Sequence, residues 1–129
     1  MSKEMDRAVE LRNSTEKHYN CTQTLLCAFA DKVGMTEEEA FKLGTHFGGG
    51  MKMGATCGAI TGGLMILGLC GKEDVSYAKK YVDGFRNRHN GVLNCADLLR
   101  INAEKGGQRK PHCDGMIYEA VRSLEDLLD

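Results

Sequence analysis

Cysteine is the residue type in this sequence whose positions invite chemistry. Three of the six cysteines directly follow a residue suited to cap a helix, in the pairs Asn20-Cys21, Thr56-Cys57 and Asn94-Cys95. A fourth, Cys113, follows Pro111-His112 and precedes Asp114, which reads as another helix start. The beginning of a helix presents unpaired N–H groups and about half a positive charge, which favours thiolate over thiol and lowers a cysteine pKa. Four thiolates at one point also need a cation or an iron–sulfur core between them, and four is the full ligand count of a [2Fe–2S] or [4Fe–4S] cluster. The intervals of 36, 38 and 18 residues between them match no ferredoxin spacing, so the geometry has to come from the fold.

Cys27 and Cys70 read differently. Cys27 lies six residues after Cys21, about 120° round the same helix, so the two do not both point inward, and Cys27 is expected to be a small buried hydrophobe. Cys70 lies about 20 Å beyond Cys57 at the C-terminal end of its helix, where the dipole disfavours a thiolate, and is expected to be structural. His89 and His112 are close enough in sequence to Cys95 and Cys113 to be ligand candidates, although a packed or solvated histidine is the commoner outcome. Gly54, Gly58 and Gly62, spaced by four, leave one face of a helix bare for another backbone, a second copy of the chain or a cofactor. Cys57 stands at the entrance of that face with Gly58 beside it.

Other signatures fail. Gly49 to Gly54 has phosphate-loop spacing but lacks the Gly-Lys-Ser/Thr ending and a preceding strand. No Cys-x-x-Cys occurs, which removes a thioredoxin-type pair, a two-knuckle zinc ribbon and covalent haem attachment. Glu37-Glu38-Glu39 reads as a solvated helix start, and Tyr19, Tyr77, Tyr81 and Tyr118 as packing residues with wet hydroxyls.

The elements that must position the cysteines are helices. Apolar residues recur at helical intervals and alternating β-branched runs are missing, so the chain is expected to be all-α: a compact bundle of about six or seven helices around a central Gly-rich helix. A first helix is expected over about 3–17, a second from Cys21 to Gly34 capped by Asn20 with Gln23 in the reciprocal position, and a third from the Thr36/Glu39 capping box to near Gly48-Gly49-Gly50. An uncharged helix follows over about 56–70, then helices over about 74–89, 95–105 and 113–128, the last after a basic linker of residues 108–111.

The 129 residues are expected to form one helical domain, with 42% hydrophobic residues to build a core. A net charge of −1 provides no field to recruit nucleic acid. The uncharged run Met53–Gly71 is 19 residues long, near bilayer-spanning length, yet its six glycines and missing aromatic belts favour a buried helix over a membrane span. Residues Met1–Asp6 contain no apolar signal region, so a reducing cytoplasm is expected, where several cysteines together point to a metal site or a working redox pair.

Cys57-Gly58-Ala59-Ile60-Thr61-Gly62, with one cysteine 36 residues earlier and two later, resembles the family named for the pattern C_GCAxxG_C_C, whose members are described as redox-active proteins of about this size. The resemblance spans nearly the whole chain and maps the four signature cysteines onto Cys21, Cys57, Cys95 and Cys113. A related domain in split-Soret cytochromes implies a cysteine-bound iron–sulfur centre; the haem of those proteins does not carry over, because its attachment motif is missing here. Three readings follow. The first is an iron–sulfur or similar metal centre on Cys21, Cys57, Cys95 and Cys113, working in electron transfer or redox sensing with an unidentified redox partner. The second is thiol–disulfide chemistry with Cys57 as the attacking thiolate. The third is a structural four-cysteine zinc site in a non-enzymatic module.

Overall fold

A computed structural model describes residues 2–128. Eight α-helices make up the described fold, with no strand longer than a single bridge: α1 (Lys3–Arg12), α2 (Cys21–Ala28), α3 (Ala30–Val33), α4 (Glu37–Gly44), α5 (Gly58–Leu69), α6 (Val75–Arg88), α7 (Cys95–Glu104) and α8 (Arg109–Leu128). Seven of them have eight residues or more, in agreement with the helix count that periodicity predicts. No helix of the described residues is long and apolar enough to cross a membrane.

Local chemistry sets most boundaries. The Asn20 side chain accepts from the Gln23 N–H and the Gln23 side chain accepts from the Asn20 N–H, closing the capping box that starts α2. Thr36 and Glu39 do the same for α4, and Asp74 caps α6 through the Ser76 N–H. Gly34 ends α3 in the left-handed conformation that glycine adopts without a Cβ penalty. The second helix breaks once, at Phe29, into α2 and α3.

Four expectations are corrected. The first helix stops at Arg12 instead of Lys17. The third stops at Gly44, and the residues after it turn through Gly49, Gly50, Met51 and Lys52, all with positive φ, a left-handed turn that Met51 and Lys52 do not advertise in sequence. Gly54 lies in that turn and not on the face of α5. The last helix begins at Arg109: Pro111 sits in its first turn, where a missing N–H costs nothing, so the basic segment belongs to the helix and Cys113 lies a full turn inside it.

The core runs between α2 and α5. Thr22 to Ala28 of α2 are all buried, and α5 packs against α2, α6 and α8. Burial of Thr22, Gln23 and Thr24 is tolerable because each finds a partner: Thr22 Oγ1 donates to the Gly58 carbonyl (2.9 Å), Gln23 Nε2 to that of Phe41 (3.1 Å), and Thr24 Oγ1 to that of Asn20 (2.8 Å). Glycine permits the close approach. A Cβ on Gly58 would stand 2.7 Å from Thr22 Oγ1 and 3.3 Å from the Cβ of Cys21, and one on Gly63 would stand 1.9 Å from Tyr81 Oη. Tyr81 is fully buried, its hydroxyl donating to the Ala59 carbonyl (2.8 Å), and so departs from the wet hydroxyl expected of it.

Candidate functional site

The site is built by pairing two helix starts. Just before α5 and α7 the chain forms one antiparallel bridge, Thr56 opposite Asn94, with Cys57 N–H donating to the Leu93 carbonyl (2.9 Å) and Cys95 N–H to the Ala55 carbonyl (2.6 Å). The bridge sets Cys57 and Cys95 side by side across two segments 38 residues apart. It also explains two differences from expectation. Thr56 is engaged in the bridge and Cys57 itself occupies the cap position of α5, while Asn94 starts α7 without a side-chain capping bond. Cys21 arrives as the first residue of α2, held against Gly58 by the bare glycine face. Cys113 arrives from the second turn of α8.

Cys21, Cys57, Cys95 and Cys113 line one small cavity together with Gly58, His112 and the apolar side chains of Leu98, Leu99 and Met116. All four candidate cysteines therefore meet, and Gly58 with them. None of the six cysteines is in a disulfide. Cys27 and Cys70 stay away from the cavity: the Cys27 thiol donates to the Glu37 carbonyl (3.5 Å) and Cys70 closes α5. His112 reaches the cavity wall. His89 does not, being stacked on Phe85 and hydrogen-bonded through Nε2 to Glu119 (2.9 Å).

The electrostatics differ from the helix-start argument. At Cys57 the N–H groups of Ala59 and Ile60 do favour the thiolate, but burial outweighs them and pushes the thiol up to about 11. Cys57 as a low-pKa attacking thiolate is thereby corrected. Burial also raises Cys95, with the charge of Cys113 adding to it. Cys21 is raised because its thiol donates toward the Cys113 sulfur, and because it is buried. Cys113 is the exception: the Cys21 thiol, and then the guanidinium charges of Arg12 and Arg109, bring it down to about 6 against the opposing effect of burial. One thiolate and three thiols is the arrangement these environments favour near neutral pH.

Arg12 is the residue that sequence reading passed over. Its side chain is 8% exposed, donating from Nε to Asp114 (2.6 Å) and from its terminal nitrogen to the Tyr19 carbonyl (2.8 Å). Asp114 also receives Lys110 Nζ (2.7 Å). In the sequence Arg12 lies on the inner side of an ordinary amphipathic helix, and Arg109 in an apparent linker. Neither carried a signal except its charge.

The donor set suits a metal cluster in chemistry and number: four sulfurs, no carboxylate, apolar walls. Among the described residues no three Cys, His, Asp or Glu side chains converge closely enough to hold a single metal. In a tetrahedral zinc site with Zn–S near 2.3 Å the sulfurs would stand about 3.8 Å apart. A cluster divides its thiolates among several irons and requires no such convergence on one point.

Among curated proteins and solved structures nothing matches this chain. The sequence model of one family, described as "Putative redox-active protein (C_GCAxxG_C_C)", matches residues 19–127, a stretch that contains all four cavity cysteines. By that match over most of its length, the chain belongs to the C_GCAxxG_C_C family of redox-active proteins.

Proposed function

We propose that Cys21, Cys57, Cys95 and Cys113 are a single redox centre that holds an iron–sulfur cluster and works in electron transfer or redox sensing. The observation that carries this reading is the number of sulfurs at the cavity: a dithiol needs two, and the fold gathers four from four separate helices against apolar walls. When bound, a cluster would supply one-electron chemistry at a potential set by burial, charge and hydrogen bonds to sulfur. The chain's own part is to present the thiols, exclude water with Leu98, Leu99 and Met116, and place the cations Arg12 and Arg109 beside the negative sulfurs. The free volume between the thiols is about 10 Å³, so the cavity would have to open to hold a cluster.

Thiol–disulfide chemistry is a second reading, favoured by one observation, the depressed Cys113 thiol beside Cys21. In that reading Cys113 attacks and Cys21 resolves, and Cys57 stays out of the exchange. Four single Cys→Ser variants separate the two. A cluster centre loses its redox response in all four; a dithiol loses it in Cys21→Ser and Cys113→Ser and keeps it in Cys57→Ser and Cys95→Ser.

A further inference from the structure

Cys21 and Cys113 form a wall with a cavity on each side. One side is the cysteine cavity; the other is a cleft of about 300 Å³, at the lower end of the range for small-molecule sites. Four permanent cations line this cleft, Arg12, Lys17, Arg109 and Lys110, and no carboxylate does. Asp114 neutralises part of that charge through Arg12 and Lys110. Among the described residues Lys17 and Arg109 have no carboxylate within salt-bridge distance; the Lys17 ammonium lies instead 3.6 Å from the Phe41 ring centre. Leu11 and Tyr19 add apolar surface. Arg109 hydrogen-bonds the Cys113 sulfur, so the four cations face two negative groups, Asp114 and Cys113, and remain in excess. Concavity, a net positive charge and apolar walls together select for size, sign and organic character.

We propose that this cleft binds a small organic anion, with two or three carboxylate or sulfonate groups on an apolar frame, held by Lys17 and Arg109 with its frame against the Cys21–Cys113 wall. The inference rests on the redox reading for its purpose: the cleft is where a small-molecule partner comes within reach of the centre. The binding itself stands apart from that reading, and its test needs no cluster.

The probe is benzene-1,3,5-tricarboxylate, titrated calorimetrically into the full chain under reducing conditions. Saturable one-to-one binding is expected, weakening at least ten-fold in the Lys17→Glu/Arg109→Glu variant and again when salt is raised, since both cations are exposed and screened. Bound probe is also expected to slow alkylation of Cys113 by uncharged iodoacetamide several-fold. Should the double variant lose its helical circular dichroism, the salt series on the wild type decides. Undetectable binding overturns the proposal, as does binding insensitive to salt and to the charge reversal, equally tight binding of inorganic phosphate, or binding that leaves Cys113 alkylation unchanged. Each of these outcomes leaves iron and sulfide content untouched, so failure of the cleft and failure of the redox reading are told apart.

Discussion

Cys21 and Cys113 are the two residues shared by the cysteine cavity and the basic cleft, and they divide one proton unequally. Cys113 holds the negative charge because three groups favour it there, the Cys21 thiol and the two guanidiniums, whereas Cys21 keeps its proton because it donates to Cys113 and is buried. The consequence is a reactivity order. In the thiol protein, iodoacetamide should label Cys113 first, with a rate that rises through about pH 6. Cys57, 5% exposed and pushed up to about 11, should stay unlabelled until the protein unfolds. Cys21→Ala removes the main stabiliser of the Cys113 thiolate and should move its rate profile to higher pH; peptide mapping of labelled protein at several pH values reads both effects.

The partly buried Arg12–Asp114 pair should contribute pH-dependent stability. Burial would raise the Asp114 carboxyl, but its bonds from Lys110 and Arg12 more than offset this and hold it below its usual value. A carboxyl depressed in the folded state stabilises the fold above its unfolded pKa of about 3.9 and loses that contribution as pH falls through the lower, folded value. Asp114→Asn should therefore cost about 2 kcal/mol at neutral pH, below the range for fully buried pairs because Asp114 remains 17% exposed. Urea titrations at pH 7 and pH 3 check this, with the gap between wild type and variant narrowing at the lower pH.

Two glycines of α5 should respond oppositely to alanine. At Gly63 a Cβ would stand 1.9 Å from Tyr81 Oη and 2.2 Å from Cζ, so the ring must move and its bond to the Ala59 carbonyl is lost. Gly63→Ala should cost about 3 kcal/mol. At Gly68 no atom lies within 4 Å of the added Cβ, and alanine should gain about 0.5–1 kcal/mol from its helix propensity. Urea midpoints for the two variants give the comparison directly.

These cases indicate how much was legible in the sequence. Capping chemistry is local, so Asn20/Gln23 and Thr36/Glu39 mark their helix starts correctly, and the four cysteines that the motif around Cys57 singles out line one cavity. What the sequence hides is non-local. The Thr56–Asn94 bridge that joins Cys57 to Cys95 depends on backbone pairing across 38 residues, and Arg12 meets Asp114 from the far end of the chain. Thiol acidity is hidden for the same reason: the helix-start dipole can be read from a cap residue, but the burial that overrides it at Cys57 belongs to the packed fold. Pro111 misled in a simpler way, since a proline in the first turn of a helix resembles one that precedes it.

Whether the four sulfurs act as one redox centre is decided by metal analysis of protein purified without air. Iron and acid-labile sulfide should be present in stoichiometric amounts, with visible absorption that bleaches on reduction and is lost when any one of Cys21, Cys57, Cys95 or Cys113 becomes serine. Colourless protein carrying zinc, or carrying no metal and keeping its redox response in Cys57→Ser and Cys95→Ser, would contradict a single redox centre.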